Sequence, residues 1–264
     1  MPVFGTLDLA AAIPAAPVVD GLDPEPWMLP GAETLQVSFE VAEEPALTRT
    51  PPGLHPSIPP YATFSVCRFP ESPVGPFTLA MVRLIVRAGI RPRGLLIAGA
   101  TDSTAAADAL RRGWGYDVVA VDDVSLSRRH DRIAGSVTID GSVVLDAALD
   151  DPEPVAGSDL ELFDNLHLVR VADDGRSDGA DGGDGEALIV QVDPGYEYTN
   201  ADRGTARLDR YDAAALGSVG IDPVYPVVAV ACTADMTLGP PRFVIDPAKP
   251  AVQGTRRLDR SPAS

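Results

Sequence analysis

The sequence predicts an α+β fold that is built mainly on an antiparallel β-sheet or barrel with a few helices. Three observations lead to this prediction. Short segments of alternating or continuous apolar residues recur along the chain, 24 glycines and 26 prolines punctuate them, and only one segment carries clear helix boundaries. With 264 residues, of which 45% are hydrophobic, the chain is long enough to bury a sizeable core.

Composition divides the chain into three predicted parts. Residues 1–34 are rich in alanine and proline and form an N-terminal extension, in which residues 7–16 are a candidate short helix. Residues 35–246 contain the periodic segments and form the single domain. Residues 247–264 are polar and are predicted to be a flexible C-terminal tail.

Within the domain, the strands are predicted from period-two alternation and from short apolar runs. They cover residues 35–41, 61–69, 78–88, 95–100, 118–121, 132–140, 142–149, 166–171, 187–192, 206–211 and 243–246. The pair Asp140-Gly141 joins two of these strands and is a strong hairpin signal. Residues 224–233 fit either a strand or a short helix.

One helix is predicted over residues 104–112. Asp102 and Ser103 are candidate N-terminal caps, the segment is rich in alanine, and Gly113 is the expected end.

The charge and the cysteine content exclude several classes of function. The formal net charge of −17 argues against nucleic acid or an anionic membrane as a partner, because both would be repelled. Cys67 and Cys232 are too few for a disulfide framework or a zinc site. No run of about 18 apolar residues and no basic leader is present, so the expected location is cytoplasmic.

Metal and cofactor motifs are also missing. His55, His130 and His167 are far apart and match no metal-binding spacing, and no nucleotide-binding glycine motif occurs, so neither a metal nor a cofactor is predicted. The Asp/Gly-rich segment 173–186 resembles a calcium loop in composition. Because it does not have EF-hand spacing, a flexible hairpin insertion is favoured.

The stretch Arg111-Arg112-Gly113-Trp114-Gly115-Tyr116-Asp117-Val118-Val119 resembles the active-site signature G-R-E-x-W-G-F-P-K-K of the acetoacetate decarboxylase family. Further segments resemble motifs of the same family and occur in its order. They are residues 46–69, 75–80, 131–137 and 222–228. The resemblance covers residues 40–246. It implies a barrel-like α+β fold with an internal pocket for a small-molecule ligand, and assembly into a homo-oligomer.

The resemblance does not extend to the family's chemistry. That chemistry needs a lysine amine that forms a Schiff base, and the signature has Val118 and Val119 where the two lysines stand. The only lysine in the chain is Lys249, in the polar tail. Leu79 occupies the position of an active-site glutamate, and Ser65 falls near another acidic position. Schiff-base decarboxylation is therefore not expected.

Several residues remain candidates for a site. By resemblance, the pocket is expected at Ser65, Leu79, Trp114, Tyr116 and Val118. The candidate catalytic residues are Asp117 as a general acid or base, Arg111 as a carboxylate clamp, and Glu197 as a further acid. The alternative is that Arg111 is a charged helix end and that both acids face solvent.

Three functions are compatible with these residues. The first is a decarboxylase-like protein that binds a small oxo-acid or apolar metabolite in the barrel pocket without decarboxylating it. The second is a lyase or hydratase that uses Asp117, Arg111 or Glu197, which requires these side chains to converge in one cavity. The third is a structural oligomer subunit, which predicts a barrel without any pocket.

Overall fold

A computed structural model describes residues 3–172, 186–218 and 220–258. The helices are α1 Leu9–Ala15, α2 Glu43–Arg49, α3 Thr104–Trp114 and α4 Ala251–Gly254, and a short 3₁₀ turn covers Gly157–Asp159. The strands are β1 Val18–Val19, β2 Trp27–Val41, β3 His55–Pro56, β4 Tyr61–Phe69, β5 Phe77–Arg87, β6 Pro92–Thr101, β7 Val118–Ala120, β8 Asp123–Arg128, β9 Arg132–Ile139, β10 Ser142–Pro154, β11 Asn165–Val171, β12 Ala187–Val192, β13 Gly195–Tyr211, β14 Pro223–Leu238, β15 Phe243–Ile245 and β16 Thr255–Arg257.

All sixteen strands belong to one mixed, mainly antiparallel sheet. The hydrogen-bonded order is β16-β15-β12-β11-β6-β5-β4-β2-β14-β13-β10-β9-β8, and β1, β3 and β7 pair at its side. The sheet curls so that β8 and β9 pack across β4. In the described part of the chain no hydrogen-bonded pairing joins β8 to β16, so the sheet does not close. The predicted α+β class is confirmed, but the described strands do not close into a full barrel.

Strand β5 is buried on both faces, and each face contributes to a different hydrophobic core. Ala80, Val82 and Leu84 belong to the first core, which lies between β5 and the curled-over strands β8 to β10. Leu79 and Met81 belong to the second core, which α3 covers on one side. This second core contains the site described below.

Helix α3 begins at the predicted cap and ends two residues later than predicted. Ser103 is the N-cap, and its hydroxyl accepts a 3.3 Å hydrogen bond from the Ala106 amide. The Asp102 carboxylate instead accepts from the Thr78 amide at 2.7 Å. The helix continues past Gly113 to Gly115, which adopts φ 72° as a left-handed C-cap. The chain then enters β7, parallel to β6.

The hairpin prediction at Asp140-Gly141 is confirmed. Both residues have positive φ, 50° and 70°, as a tight two-residue turn between β9 and β10 requires. Residues 224–233 lie within β14 and are therefore a strand.

Other elements differ from the prediction. Strand β2 begins at Trp27, inside the segment 1–34, because its register with β14 runs to its first residue. The polar segment after residue 247 contains α4 and β16, and β16 pairs with β15. Helix α2 and strand β8 were not predicted. The Asp/Gly-rich segment lies outside the described residues except for Glu186. None of the helices in the described ranges has the length and apolar character needed to cross a membrane.

Candidate functional site

A small cavity lies inside the second core, where β2, β4, β5, α3 and the end of β14 meet. It offers about 30 Å³ to the centres of water molecules, which is room for one or two waters. Its apolar wall consists of Trp27, Leu29, Phe69, Phe77, Leu79, Met81, Leu110, Leu162, Met236 and Leu238. Its polar wall consists of Thr34, Cys67, Arg83, Tyr116, Asn165 and Tyr196. Arg83 is the only charged residue in the lining.

The Arg83 guanidinium is buried, with 5% of the residue exposed, and four neutral oxygens surround it. Nη1 donates to the Asn165 side-chain oxygen at 2.8 Å and to the Phe163 carbonyl at 3.1 Å. Nη2 donates to the Gln36 side-chain oxygen at 2.7 Å and to the Ser65 hydroxyl at 2.8 Å. These bonds fix the guanidinium plane.

Strand register explains this cluster. Gln36 on β2 lies opposite Ser65 on β4, and the neighbouring Thr63 lies opposite Arg83 on β5. Because side chains alternate along a strand, these polar residues share the face of the sheet that lines the cavity. Gly94 on β6 makes room for the arginine, since a Cβ there would lie 2.9 Å from the Arg83 Cδ.

The charge of Arg83 has no carboxylate partner among the described residues. Burial lowers the pKa of its guanidinium, and the largest opposing influences come from neutral acids, Cys67 and two tyrosines. Its Nε–H is buried and has no acceptor. A buried cation without a counterion is energetically unfavourable, so this end of the cavity has the electrostatic character of an anion site.

The polar cluster continues from Arg83 to the end of α3. The Asn165 amide nitrogen donates to the Tyr116 hydroxyl at 3.3 Å, and burial raises the pKa of that phenol. The Tyr116 ring packs on His167 with centroids 4.1 Å apart. The His167 Nδ1 donates to the Trp114 carbonyl at 2.7 Å, which leaves Nε2 as a buried acceptor without a partner. Burial lowers the pKa of this imidazole to about 4.

The five pocket residues expected from the resemblance occupy different places. Leu79 and Tyr116 line the cavity, and Ser65 binds Arg83. Trp114 packs on Trp27 behind the cavity and donates to the Gly239 carbonyl at 2.9 Å. Val118 is buried in the second core but does not line the cavity, and it packs against Gly99, where a Cβ would lie 2.5 Å from its Cγ1.

The three candidate acid–base residues do not converge. Arg111 and Asp117 form an ion pair of 2.6 Å in which the side chains are 34% and 51% exposed. Glu197 is exposed on β13, opposite Asp235. None of the three lines the cavity. The lyase or hydratase hypothesis requires these side chains to converge in one cavity, and in the described structure they do not.

The remaining candidates lie apart from this cavity. Lys249 is 64% exposed and pairs with Asp246 at 2.8 Å. His130 is exposed, and the His55 Nδ1 lies 3.1 Å from the Val3 carbonyl. Both cysteines are free and buried, and burial raises the pKa of the Cys67 thiol. Within the described ranges no three acidic, histidine or cysteine residues form a metal-binding group.

Sequence reasoning identified Ser65, Leu79 and Tyr116, but it missed Arg83, Gln36 and Asn165. A signal for Arg83 was present in the sequence. It is the only charged residue between Phe77 and Val86, in a run that is otherwise almost wholly apolar.

Comparisons with known proteins place the chain by its structure. No family model and no curated protein sequence matches it. An acetoacetate decarboxylase from Legionella pneumophila superposes with a TM-score of 0.70 at 17% identity, over 83% of this chain and 86% of that one. The enduracididine biosynthesis enzyme MppR, solved in complex with pyruvate, gives 0.62 at 17% identity, over 84% and 91%.

An acetoacetate decarboxylase-like enzyme from Sphingomonas wittichii RW1 also gives a TM-score of 0.62, at 15% identity over 82% of this chain and 91% of that one. At these identities the similarity shows the fold alone. The chain therefore has the acetoacetate decarboxylase-like fold, as the sequence motifs predicted.

Proposed function

We propose that this chain binds a small monocarboxylate with an apolar tail, of the 2-oxo acid class, and does not decarboxylate it through a Schiff base. The single observation that carries the proposal is Arg83, a buried cation that lines an apolar cavity and has no described carboxylate partner. A ligand carboxylate would supply the missing negative charge.

The apolar wall of the cavity is the reason for proposing an apolar tail on the ligand. Ten of the cavity's sixteen lining residues belong to the apolar wall defined above. An alkyl tail is stabilised there by about 25 cal/mol for each Å² of apolar surface removed from water. Met81 and Met236 have flexible thioether side chains, so they can move aside for a ligand larger than the present cavity.

The absence of a suitable amine supports the second part of the proposal, namely that no Schiff base forms. The only lysine is exposed and paired with Asp246, away from the cavity. An arginine does not replace it, because a guanidinium stays protonated and is not nucleophilic.

Ligand binding is tested by isothermal titration calorimetry and thermal unfolding of the full chain. The probes are straight-chain 2-oxo acids from pyruvate to 2-oxooctanoate, with the primary amide of each acid as the uncharged control. We expect binding that requires the carboxylate and that strengthens with each added methylene. Equal binding of acid and amide, or binding by none of the acids, contradicts the proposal.

Schiff-base chemistry is tested by borohydride reduction in the presence of acetoacetate or pyruvate, followed by mass spectrometry. We expect no side-chain adduct. The Lys249→Arg variant is the matched control, because it contains no lysine at all. An adduct that appears in the parent chain and disappears in this variant would overturn the proposal.

The fold similarity also supports a homo-oligomer, which remains a proposal. Light scattering coupled to size-exclusion chromatography gives the mass directly, and a monomeric mass at micromolar concentration contradicts it.

A further inference from the structure

The segment Asp159–Phe163, here called the strap, crosses the polar end of the cavity without joining the sheet. Three of its carbonyls, at alternate residues, each accept one hydrogen bond from a side chain of the body. The Asp159 carbonyl accepts from Arg203 at 3.0 Å. The Glu161 carbonyl accepts from Gln36 at 3.0 Å, and the Phe163 carbonyl accepts from Arg83 at 3.1 Å.

This arrangement covers the cavity. Leu162, between the two inner anchored carbonyls, contributes its side chain to the cavity wall. Phe163 is buried and packs on the Tyr61 ring with centroids 5.9 Å apart. While the strap is fastened, the cavity holds only one or two waters. A larger ligand therefore needs the strap to move.

Arg83 is shared between the strap and the site. The Nε–H has no acceptor among the described residues, so it can bind one ligand oxygen as it stands. Each of the two Nη atoms already donates to two acceptors, so a carboxylate that binds a second guanidinium donor must replace one of these acceptors. Gln36, Ser65 and Asn165 are held by strand pairing. The Phe163 carbonyl is the only one of the four acceptors that belongs to a segment without sheet pairing, so it is the acceptor that leaves Arg83 when this segment moves.

We propose that the strap is a gate whose inner fastening competes with the ligand: an anion that binds Arg83 replaces the Phe163 carbonyl and releases the strap. The proposal rests on the proposed function in taking a carboxylate as the ligand. Gln36 and Arg203 then act as positioning residues, which set how readily the cavity opens without themselves supplying the charge that binds the anion.

The first test needs no ligand. Hydrogen–deuterium exchange of the full chain is followed in the peptide that contains the Asp159 and Leu160 amides, which donate to the carbonyls of Ala156 and Gly157. The variants Gln36→Met and Arg203→Met each remove one fastening, and Gln36→Met also removes one acceptor of Arg83, so Arg203→Met is the variant that changes the strap alone. We expect at least a tenfold faster exchange of this peptide in both, with no change in the peptide of β4. The exposed Arg68→Met is the matched control. Unchanged strap exchange in both variants overturns the gate.

The second test adds 2-oxooctanoate at a concentration that calorimetry shows to be saturating. We expect faster exchange in the strap peptide when the ligand is bound, and at least a threefold faster association by stopped flow in Arg203→Met, whose side chain does not line the cavity. Binding with unchanged or slower strap exchange overturns the gate and leaves the proposed function intact. If no oxo acid binds, the proposed function is wrong, and so is the proposed competition between the ligand and the Phe163 carbonyl for Arg83.

Discussion

Arg83 and Arg111 are two arginines close to the second core, and their surroundings are opposite. Arg111, at the end of α3, pairs with Asp117 at 2.6 Å in a partly solvated position. Arg83, in the middle of β5, is almost fully buried and touches only neutral oxygens. Solvent and a counterion already stabilise the first charge, whereas the second lacks both.

The comparison explains why the proposed binding function is placed at Arg83 and not at Arg111. An exposed ion pair contributes little free energy, because water screens it and the side chains lose entropy. A buried guanidinium held by four hydrogen bonds is preorganised and has little water to lose, so an incoming carboxylate meets a strong and directed field. The signature segment 111–119 pointed to the fold, whereas the buried charge without a described carboxylate partner belongs to Arg83 on β5.

The largest expected effect comes from removing the buried charge. Arg83→Met keeps an unbranched apolar stem but removes the guanidinium, and it should weaken binding of 2-oxooctanoate by at least about 30-fold, because truncating a buried charged partner costs about 2–5 kcal/mol. Titration calorimetry measures the change in Kd. Thermal unfolding of the free variant separates lost binding from lost folding.

The matched variant for this prediction is Arg111→Met, in which the same substitution is made at the partly exposed arginine that pairs with Asp117. Its affinity should stay within about twofold of the parent chain, because Arg111 does not line the cavity. Comparable losses in the two variants would remove the distinction between the buried and the exposed arginine.

The buried region should also control how stability depends on pH. His167 titrates near pH 6.5 when unfolded, and burial lowers its pKa to about 4 in the folded chain. Between these values the unfolded state binds more protons, so the free energy of unfolding falls as the pH decreases through this window. At 1.36 kcal/mol per pKa unit, His167 should account for about 2 kcal/mol of lost stability between pH 7.5 and pH 5.

Urea unfolding at both pH values measures this contribution. His167→Asn, whose amide can donate to the Trp114 carbonyl as Nδ1 does, should lose about 2 kcal/mol of the pH dependence. The exposed His130→Asn should retain all of it. The same pH dependence in His167→Asn and in the parent chain would show that His167 does not titrate in this window.

A third change should convert the buried arginine into a paired one. Met81 lies two residues before Arg83 on β5, on the same face, and lines the cavity. Met81→Glu supplies an internal carboxylate and should weaken binding of 2-oxooctanoate about tenfold more than Met81→Gln, which has the same shape without the charge. Calorimetry on both variants gives the ratio. Equal affinities would mean that ligand recognition does not depend on the uncompensated charge.

The difference between these regions also explains what could be predicted from the sequence. Strands such as Tyr61–Phe69 and the turn at Asp140-Gly141 follow from local periodicity and turn chemistry, so they were predicted closely. Strand β8, in which Val124 and Leu126 alternate with polar residues, carries the same signal but is short. Segment β16 has no apolar pattern and forms because β15 offers it an edge.

The site was harder to predict, because its parts meet only through long-range register. Gln36, Ser65 and Arg83 come from three strands, and Asn165 comes from a fourth that is 82 residues beyond Arg83. No spacing in the sequence brings these four together. The family signature instead directed attention to Val118, which packs against Gly99 outside the cavity lining.

The smallest expected effect is at the signature itself. Asp117→Asn removes the charge that pairs with Arg111, and it should lower the free energy of unfolding by only about 0.5 kcal/mol at low salt, because both side chains are partly solvated. Urea unfolding at 20 mM and 500 mM salt checks this, since screening should erase the difference between the variant and the parent chain. If the free energy of unfolding falls by more than about 2 kcal/mol and the loss persists at high salt, this pair stabilises the fold as much as the buried cluster does. The contrast between the two arginines would then no longer follow from solvation.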